Sequence, residues 1–215
     1  MSTLSSSLAQ KLRGRFVVLD GVDGAGKSTH QRRLHAELSA AGVAVLACRD
    51  PGGTTIGDRI RSILLDHDLR GMDAACETML FMASRAQLAA EVIRPARKAG
   101  QTVLCDRFVS STCAYQGAAG FDSRRVVDLA RLLLDDLWPD VTIVLDLPVE
   151  SGLARNNHRP VDAMESRPLD FQRRVRAIFQ ELPAYYPTPV IFVDASADAE
   201  TVYQRIVESL ERAAF

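Results

Sequence analysis

The stretch that decides the fold is Phe16-Val-Val-Leu-Asp-Gly-Val-Asp-Gly-Ala-Gly-Lys-Ser28. Its second part, from Gly21 to Ser28, matches the pattern G-x-x-x-x-G-K-[ST] and lies between a short apolar run and a helical pattern. Glycines allow backbone N–H groups to come close to phosphate oxygens, and the N-terminus of the following helix attracts the same anions. The stretch therefore predicts a phosphate-binding loop between a buried strand and a helix.

Short apolar runs recur along the chain at helix-length intervals. The runs are residues 16–19, 43–47, 102–105, 141–145 and 190–193. Such near-continuous apolar runs are typical of parallel strands that are covered on both faces, so we predict an α/β fold with a five-stranded parallel sheet and helices on both faces. The runs lead to polar residues, which are Asp20, Arg49, Asp106, Asp146 and Asp194. We expect these strand ends to line one crevice.

No change in composition and no linker divides the chain. We therefore predict a single domain at residues 15–215, with residues 1–14 as an N-terminal extension to which we assign no role. The polar segment at about 156–168 interrupts a helical pattern between prolines, which favours a short mobile flap. An ordinary surface loop fits the same residues equally well.

The charges of the chain nearly balance, with 26 Lys+Arg against 27 Asp+Glu. A net charge of -1 does not attract extended polyanions, so no nucleic-acid partner is expected. The four cysteines have no paired spacing, and no apolar run reaches the roughly 20 residues that cross a bilayer. These features, with the lack of a signal-peptide core near the start, predict a cytoplasmic protein without a membrane partner.

The phosphate loop predicts a site for ATP. Lys27 is expected to reach the β- and γ-phosphates, and Ser28 to offer its hydroxyl to Mg²⁺. Asp106, at the end of an apolar run, is expected to hold the same ion through water, although a salt bridge with Arg107 is an alternative role. Asp146 is a rival carboxylate, but Asp146-Leu-Pro favours a cap or a turn. The predicted nucleotide site comprises Gly21, Val22, Asp23, Gly24, Ala25, Gly26, Lys27, Ser28 and Thr29.

Among proteins with such a loop, a small-molecule kinase fits best. The guanine-reading signature Asn-Lys-x-Asp is missing after every predicted strand, which disfavours a GTP switch. Motor and helicase ATPases need further domains or arginines from partners, whereas this chain has one compact domain and many arginines near strand ends.

From Gly14 to about Val207 the chain resembles the bacterial thymidylate kinases. The segments that carry the resemblance are Phe16-Val-Val-Leu-Asp-Gly-Val-Asp-Gly-Ala-Gly-Lys-Ser-Thr29, Arg49-Asp-Pro-Gly-Gly-Thr54, Glu77-Thr-Met-Leu-Phe-Met-Ala-Ser-Arg85, Asp106-Arg-Phe-Val-Ser-Ser-Thr-Cys-Ala-Tyr-Gln-Gly117 and Pro139-Asp-Val-Thr-Ile-Val-Leu-Asp-Leu-Pro148. The resemblance implies a P-loop kinase fold, ATP-dependent phosphorylation of dTMP to dTDP in dTTP synthesis, and a homodimer.

The resemblance also implies a site for dTMP. Asp23 would accept a hydrogen bond from the sugar 3′-hydroxyl, Phe81 would stack on the pyrimidine, and Arg85 would bind a base carbonyl from the same helix face. The other implied ligands are Arg49 and Arg107 for the acceptor phosphate, Thr112 for the base edge, and Tyr115 and Gln116 over sugar and base. The residues alone leave other roles open: Phe81 could be core, Arg85 a solvated helix end, and Tyr115 a half-buried packing ring.

The implied flap departs from the family pattern. Bacterial relatives usually carry an arginine after the first aspartate, whereas this chain reads Asp162-Ala-Met-Glu165. Since Gly24 stands where some members have a loop arginine, the cation at the ATP phosphates must come from Arg155, Arg159 or Arg167. We rank Arg155 first, because it continues a helical pattern. The predicted catalytic residues are thus Lys27, Arg49, Arg107 and Arg155.

Two other functions remain open at this point. A deoxynucleoside kinase shares the phosphate loop but must deprotonate a sugar hydroxyl, for which Asp20 or Asp23 could be the base. A nucleotide-binding regulatory module with little turnover would account for the missing flap arginine.

Overall fold

The computed structural model describes residues 4–66, 71–156 and 166–215. Its strands are β1 (Phe16–Gly21), β2 (Val45–Arg49), β3 (Thr102–Asp106), β4 (Val141–Asp146) and β5 (Val190–Asp194). Its helices are α1 (Ser6–Leu12), α2 (Lys27–Ala40), α3 (Thr55–Leu65), α4 (Ala74–Leu88), α5 (Arg94–Lys98), α6 (Val109–Ala118), α7 (Ser123–Leu134), α8 (Val149–Asn156), α9 (Leu169–Glu181) and α10 (Ala199–Arg212). A π-helical turn (Ala89–Ile93) joins α4 to α5, and a 3-10 turn (Leu182–Ala184) follows α9.

The strands form one parallel sheet in the order β2-β3-β1-β4-β5. In its centre, Val17 of β1 lies beside Leu104 of β3 and Val141 of β4. The predicted α/β fold, a five-stranded parallel sheet with helices on both faces, is confirmed. Because all strands run in one direction, their carboxyl ends meet at the same edge of the sheet.

The expectation that every strand is covered on both faces is wrong at the two edges of the sheet. β2 and β5 are half-buried or exposed at most positions, whereas β1, β3 and β4 are buried almost throughout. β2 also begins at Val45 rather than at residue 43, since its pairing with β3 starts there. An apolar run alone does not distinguish a central strand from an edge strand.

Alternate residues of β1 separate two apolar clusters. Phe16 and Val18 belong to a cluster with α4, α6, α7 and α9 on one face of the sheet. Val17 and Leu19 belong to a second cluster with α1, α2 and α10 on the other face. Successive side chains of a strand point to opposite faces, so the sheet divides the core in two.

The segment that we treated as an N-terminal extension contributes α1 to the second cluster. Leu8 and Leu12 of this helix are buried there. Lys11 Nζ donates to the carbonyl oxygen of Leu210 at 2.9 Å, which ties α1 to the end of α10. Among the residues that the structure describes, no helix is both long enough and apolar enough to span a bilayer.

The predicted flap lies mostly outside the described residues. Helix α8 ends at Asn156, and the description resumes at Ser166, shortly before α9 begins at Leu169. Arg159 and the segment Asp162-Ala-Met-Glu165 therefore fall outside it, whereas Arg155 and Arg167 are described.

Candidate active site

The carboxyl ends of β1, β2 and β3 open into a cavity of about 810 Å³. Its lining includes Asp23, Gly24, Gly26, Lys27, Ser28 and Thr29 of the phosphate loop and α2. It also includes Arg49, Phe81, Arg85, Asp106, Arg107, Thr112, Tyr115, Gln116 and Arg155. Of the remaining predicted site residues, Gly21, Val22 and Ala25 are not part of the lining. The structure thus brings the predicted donor and acceptor side chains to one cavity.

The phosphate loop rests against the first turns of α8. Gly24 has a φ of 78°, and a Cβ atom at this position would overlap the carbonyl group of Gly152. The constraint is reciprocal, since a Cβ atom on Gly152 would overlap the carbonyl oxygen of Asp23. Residue 24 therefore has no room here for the arginine that some members of the resembled family carry at this position.

Lys27 opens α2 and directs its ammonium group into the loop. Nζ donates to the carbonyl oxygens of Gly21 at 3.1 Å and Val22 at 2.9 Å. Burial lowers the pKa of Lys27, and the positive charge of Arg107 lowers it further, whereas neighbouring carboxylates such as Asp23 raise it. The nearest oxygen of Asp23 is 3.8 Å from Nζ, so the ammonium is not held in a tight ion pair. Phosphate oxygens could replace the two carbonyl groups as its partners.

Ser28 and Asp106 offer oxygen ligands to a metal ion. Ser28 Oγ lies 2.5 Å from a carboxylate oxygen of Asp106, where α2 begins and β3 ends. One hydroxyl and one carboxylate suit a hard cation that keeps several water or phosphate oxygens, as Mg²⁺ does. In the described ranges, no group of three or more His, Cys, Asp or Glu side chains could hold a metal by itself. The rival Asp146 is occupied by Arg176, which donates to both of its carboxylate oxygens.

Arg107, Asp23 and Tyr115 form a connected group between the loop and α6. Arg107 Nη2 donates to one carboxylate oxygen of Asp23, and the Tyr115 hydroxyl donates to the other at 2.8 Å. Burial raises the pKa of Tyr115 despite the opposing charge of Arg107, so the phenol remains a hydrogen-bond donor. Arg107 has a φ of 69°, a conformation that is costly for a residue with a side chain and that persists only where surrounding contacts enforce it.

Asp20 lies fully buried behind this group. It accepts hydrogen bonds from the hydroxyls of Ser110 at 2.5 Å and Ser111 at 2.6 Å, and from the backbone N–H of Gly21 at 2.8 Å. Arg107 Nη1 donates to Ser111 at 3.1 Å, so Ser111 links Asp20 to the guanidinium. An occupied and inaccessible carboxylate is poorly placed to deprotonate a sugar hydroxyl. This geometry weighs against Asp20 as the base of a deoxynucleoside kinase.

Arg85 is fully buried, so its alternative interpretation as a solvated helix end is wrong. Nε donates to Asp50 at 2.5 Å, and Nη2 donates to the Phe108 carbonyl at 3.1 Å and to the Thr112 hydroxyl at 2.8 Å. Nη1 contacts the sulfur of Met82 at 2.8 Å. A guanidinium carries five N–H donors, one more than these contacts use. The fixed side chain therefore retains a donor for a ligand in the cavity.

The far end of the cavity is formed by α4 and α6. Phe81 lines the cavity one turn before Arg85 and is 8 % exposed, so its side chain faces both core and cavity. Gln116 also lines the cavity, and its Nε2 donates to Glu77 at 3.0 Å. A flat aromatic ring next to fixed polar groups is suited to a planar heterocycle.

Comparison with known proteins identifies the family. The family model for thymidylate kinase matches residues 19–206. The chain is 43% identical over 197 residues to the thymidylate kinase of Pseudomonas fluorescens, an alignment that covers 91% of this chain and 94% of the relative. The chain belongs to the thymidylate kinase family. It is also 40% identical over 204 residues to the thymidylate kinase of Afipia carboxidovorans (93% and 90% covered) and 38% identical over 211 residues to that of Protochlamydia amoebophila (94% of each covered).

Three arginines were candidates to replace the arginine that is missing from the flap of this thymidylate kinase family member. The structure describes two of them, Arg155 and Arg167. The Arg155 guanidinium donates to the carbonyl oxygens of Ala195, Ser196 and Ala197 at 3.0 to 3.2 Å, and the side chain borders the cavity. Arg167 instead forms an ion pair with Glu77, beside Gln116. Of the two described candidates, Arg155 is therefore the one that lines the same cavity as the phosphate loop.

Arg49 lines the cavity from the end of β2. Its side chain is 60% exposed, and its nearest carboxylate partner is Asp58 at 3.7 Å. A partly solvated guanidinium with a weak partner can turn toward an incoming phosphate at low cost.

Sequence reasoning missed three polar residues that hold the site together: Asp50, Glu77 and Ser111. Their partners lie 35, 39 and 91 positions away, respectively, in Arg85, Gln116 and Asp20. No local periodicity indicates such contacts. The one available signal was their position inside the segments that carry the family resemblance.

Proposed function

We propose that this protein transfers the γ-phosphoryl group of ATP to dTMP, giving ADP and dTDP. Membership of the thymidylate kinase family supports this function. The single structural observation that supports it best is the shared cavity, which is bounded by a phosphate loop and also by an aromatic and arginine-rich pocket. The γ-phosphate of ATP and the phosphate of dTMP can therefore lie next to each other in one cavity.

The donor end would bind the phosphates of ATP. Backbone N–H groups of the loop and Lys27 would hold the β- and γ-phosphates, with Arg155 as the further cation. Ser28 and Asp106 would hold Mg²⁺, which when bound neutralises charge between the phosphates. The pairing of these two side chains across the ends of α2 and β3 supports that assignment.

The acceptor end would position the monophosphate. Arg107 and Arg49 would bind its phosphate, Asp23 its 3′-hydroxyl, Phe81 and Arg85 its base, with Thr112 and Gln116 at the base edge. The acceptor oxygen is already anionic, so the protein has to reduce phosphate–phosphate repulsion and align the reactants, and no general base is required. Tyr115, buried against Asp23, would leave no space for a 2′-hydroxyl.

We also propose that the protein works as a homodimer in the cytoplasm. Exposed apolar side chains on the adjacent helices α3 and α4, namely Ile56, Ile63 and Met79, are consistent with such an association. Sedimentation velocity at micromolar concentration measures it directly, and a monomer there would reject the dimer.

Coupled release of ADP from ATP tests the activity, with dTMP and thymidine compared as acceptors. We expect turnover with dTMP and none with thymidine. Turnover with thymidine alone would establish the deoxynucleoside kinase, and binding of ATP without turnover would establish the regulatory module. Lys27→Ala is the control for the site: we expect it to abolish turnover without lowering the melting temperature, since it removes a charge and little apolar contact.

A further inference from the structure

A chain of three polar side chains runs from the cavity into α4 and on to the start of α9. Gln116 is fully buried and lines the cavity, and its Nε2 donates to Glu77 Oε2 at 3.0 Å. Glu77 is 4% exposed and is not part of the cavity lining. Its other oxygen, Oε1, accepts from Nη2 of Arg167. Glu77 therefore contacts the pocket wall from behind.

The charge of Glu77 decides which way the Gln116 amide points. A carboxylate accepts hydrogen bonds and donates none, so it can be satisfied only by the NH₂ end of the amide. The reversed amide would bring two oxygens together in a buried site, which is strongly unfavourable. Gln116 Oε1 is consequently left as an acceptor, and it is buried with no hydrogen-bond partner in the described part of the chain.

We propose that Glu77 is a positioning residue that sets base selectivity by fixing Gln116 Oε1 as the acceptor facing the pyrimidine edge. This inference rests on the proposed function, because it assigns the base of the monophosphate to this end of the cavity. Thymine carries an N–H donor at N3, which matches a fixed acceptor. Cytosine carries a lone pair at N3, which the same acceptor repels.

Arg167 keeps this arrangement in place. It pairs with a carboxylate that is almost inaccessible to water, and its guanidinium also lies 4.7 Å from the centre of the Phe171 ring. Loss of Arg167 would leave Glu77 Oε1 without its donor, so the carboxylate would no longer be held against the Gln116 amide. The amide could then turn its NH₂ group toward the base. Arg167 thus holds Glu77, and Glu77 in turn holds the Gln116 amide.

The test compares Glu77→Gln and Arg167→Gln with the parent protein on dTMP and dCMP. Glutamine at position 77 has the shape of glutamate but accepts either end of the neighbouring amide. We expect the ratio of kcat/KM for dTMP over dCMP to fall about tenfold in Glu77→Gln, the size of effect that one misdirected buried hydrogen bond produces. The change is expected in KM for dTMP, with kcat within about twofold of the parent.

Glu150→Gln is the matched control. Like Glu77, Glu150 pairs with an arginine, in this case Arg173 of α9 at 2.8 Å, but it lies on the surface and outside the cavity lining. The same change of glutamate to glutamine with loss of an ion pair is expected to leave base selectivity unchanged. A second control introduces Glu77→Gln into Gln116→Met, where no further loss of selectivity is expected because the amide is gone.

Calorimetric binding of dTMP and dCMP in the absence of ATP separates this inference from the proposed function. A parent protein that binds dTMP in preference to dCMP but does not turn over would reject the kinase activity and leave the selectivity test intact. A folded Glu77→Gln variant with the parent preference would overturn the role of Glu77. If that variant does not fold, Arg167→Gln decides, since Arg167 is only partly buried; an unchanged preference there overturns the inference equally.

Discussion

Replacement of Gly24 by alanine tests whether the contact between the phosphate loop and α8 positions the loop for ATP. The added methyl group would overlap the carbonyl group of Gly152, which is backbone and cannot rotate away. The loop or α8 must therefore shift. A misplacement of about 1 Å in a catalytic site costs about 100-fold in rate, so we expect kcat/KM for ATP to fall by about that factor.

Gly42→Ala is the matched control, because it separates backbone strain from the overlap. Gly42 has a φ of 73°, and no atom lies within 4 Å of a Cβ atom built there. The left-handed backbone conformation costs an alanine about 1–2 kcal/mol in either variant. At about 2–4 °C per kcal/mol for a chain of this size, Gly42→Ala should melt roughly 2–8 °C lower. Gly24→Ala should melt at least as much lower, because the overlap with Gly152 adds to the strain. Coupled ADP release and thermal melting measure the two effects. Parent kinetics in Gly24→Ala, or an equal loss of activity in Gly42→Ala, would refute the reasoning.

Two further predictions concern other parts of the site, and a third concerns a buried histidine of α2. Tyr115→Ala should narrow the rate gap between dTMP and its ribonucleotide counterpart, because it opens space beside the sugar; an unchanged gap would indicate that the ring serves packing alone. Arg155→Ala should lower kcat by several orders of magnitude with little change in dTMP affinity, whereas Arg167→Ala should leave kcat unchanged. Steady-state kinetics of the two variants measure this difference, and a larger loss of kcat in Arg167→Ala would contradict the ranking. His30 titrates in a buried position, where burial lowers its pKa and Arg33 lowers it further. In the unfolded chain this histidine has a pKa of about 6.5, so the unfolded state takes up the proton first as the pH falls. The contribution of His30 to the free energy of unfolding is therefore constant above about pH 6.5 and decreases below it. Urea unfolding from pH 7 to pH 5 should show a shallower fall in His30→Phe, and identical profiles would exclude the contribution.

The donor end of the site could be predicted from sequence because its geometry is local. The eight residues from Gly21 to Ser28 contain the glycines, the lysine and the start of α2, and each role follows from spacing along one short stretch. The parallel sheet could be predicted for a similar reason, since apolar strand runs and the helix-length segments between them are visible in the sequence.

The acceptor end could not be derived in this way. Arg85 illustrates the difficulty: a helical arginine is ordinarily expected in solvent, yet Asp50 and Thr112 hold it in the core from two other segments. The resemblance suggested a role for Arg85, but its burial and partners depend on contacts between residues far apart in the chain. The relation of Arg167 to Glu77 has the same cause, since these residues are 90 positions apart.

The division of the core by β1 has a consequence for how the protein can change. Phe81 and Tyr115, which line the acceptor end of the cavity, pack in the cluster on one face of the sheet, whereas α1 and α10 pack in the other. Substitutions at well-separated sites without shared partners add nearly independently in their effects on stability. Replacements on the α1 and α10 side can therefore compensate for stability lost when the acceptor pocket is altered. Substrate preference and stability are in this way open to separate selection within one chain.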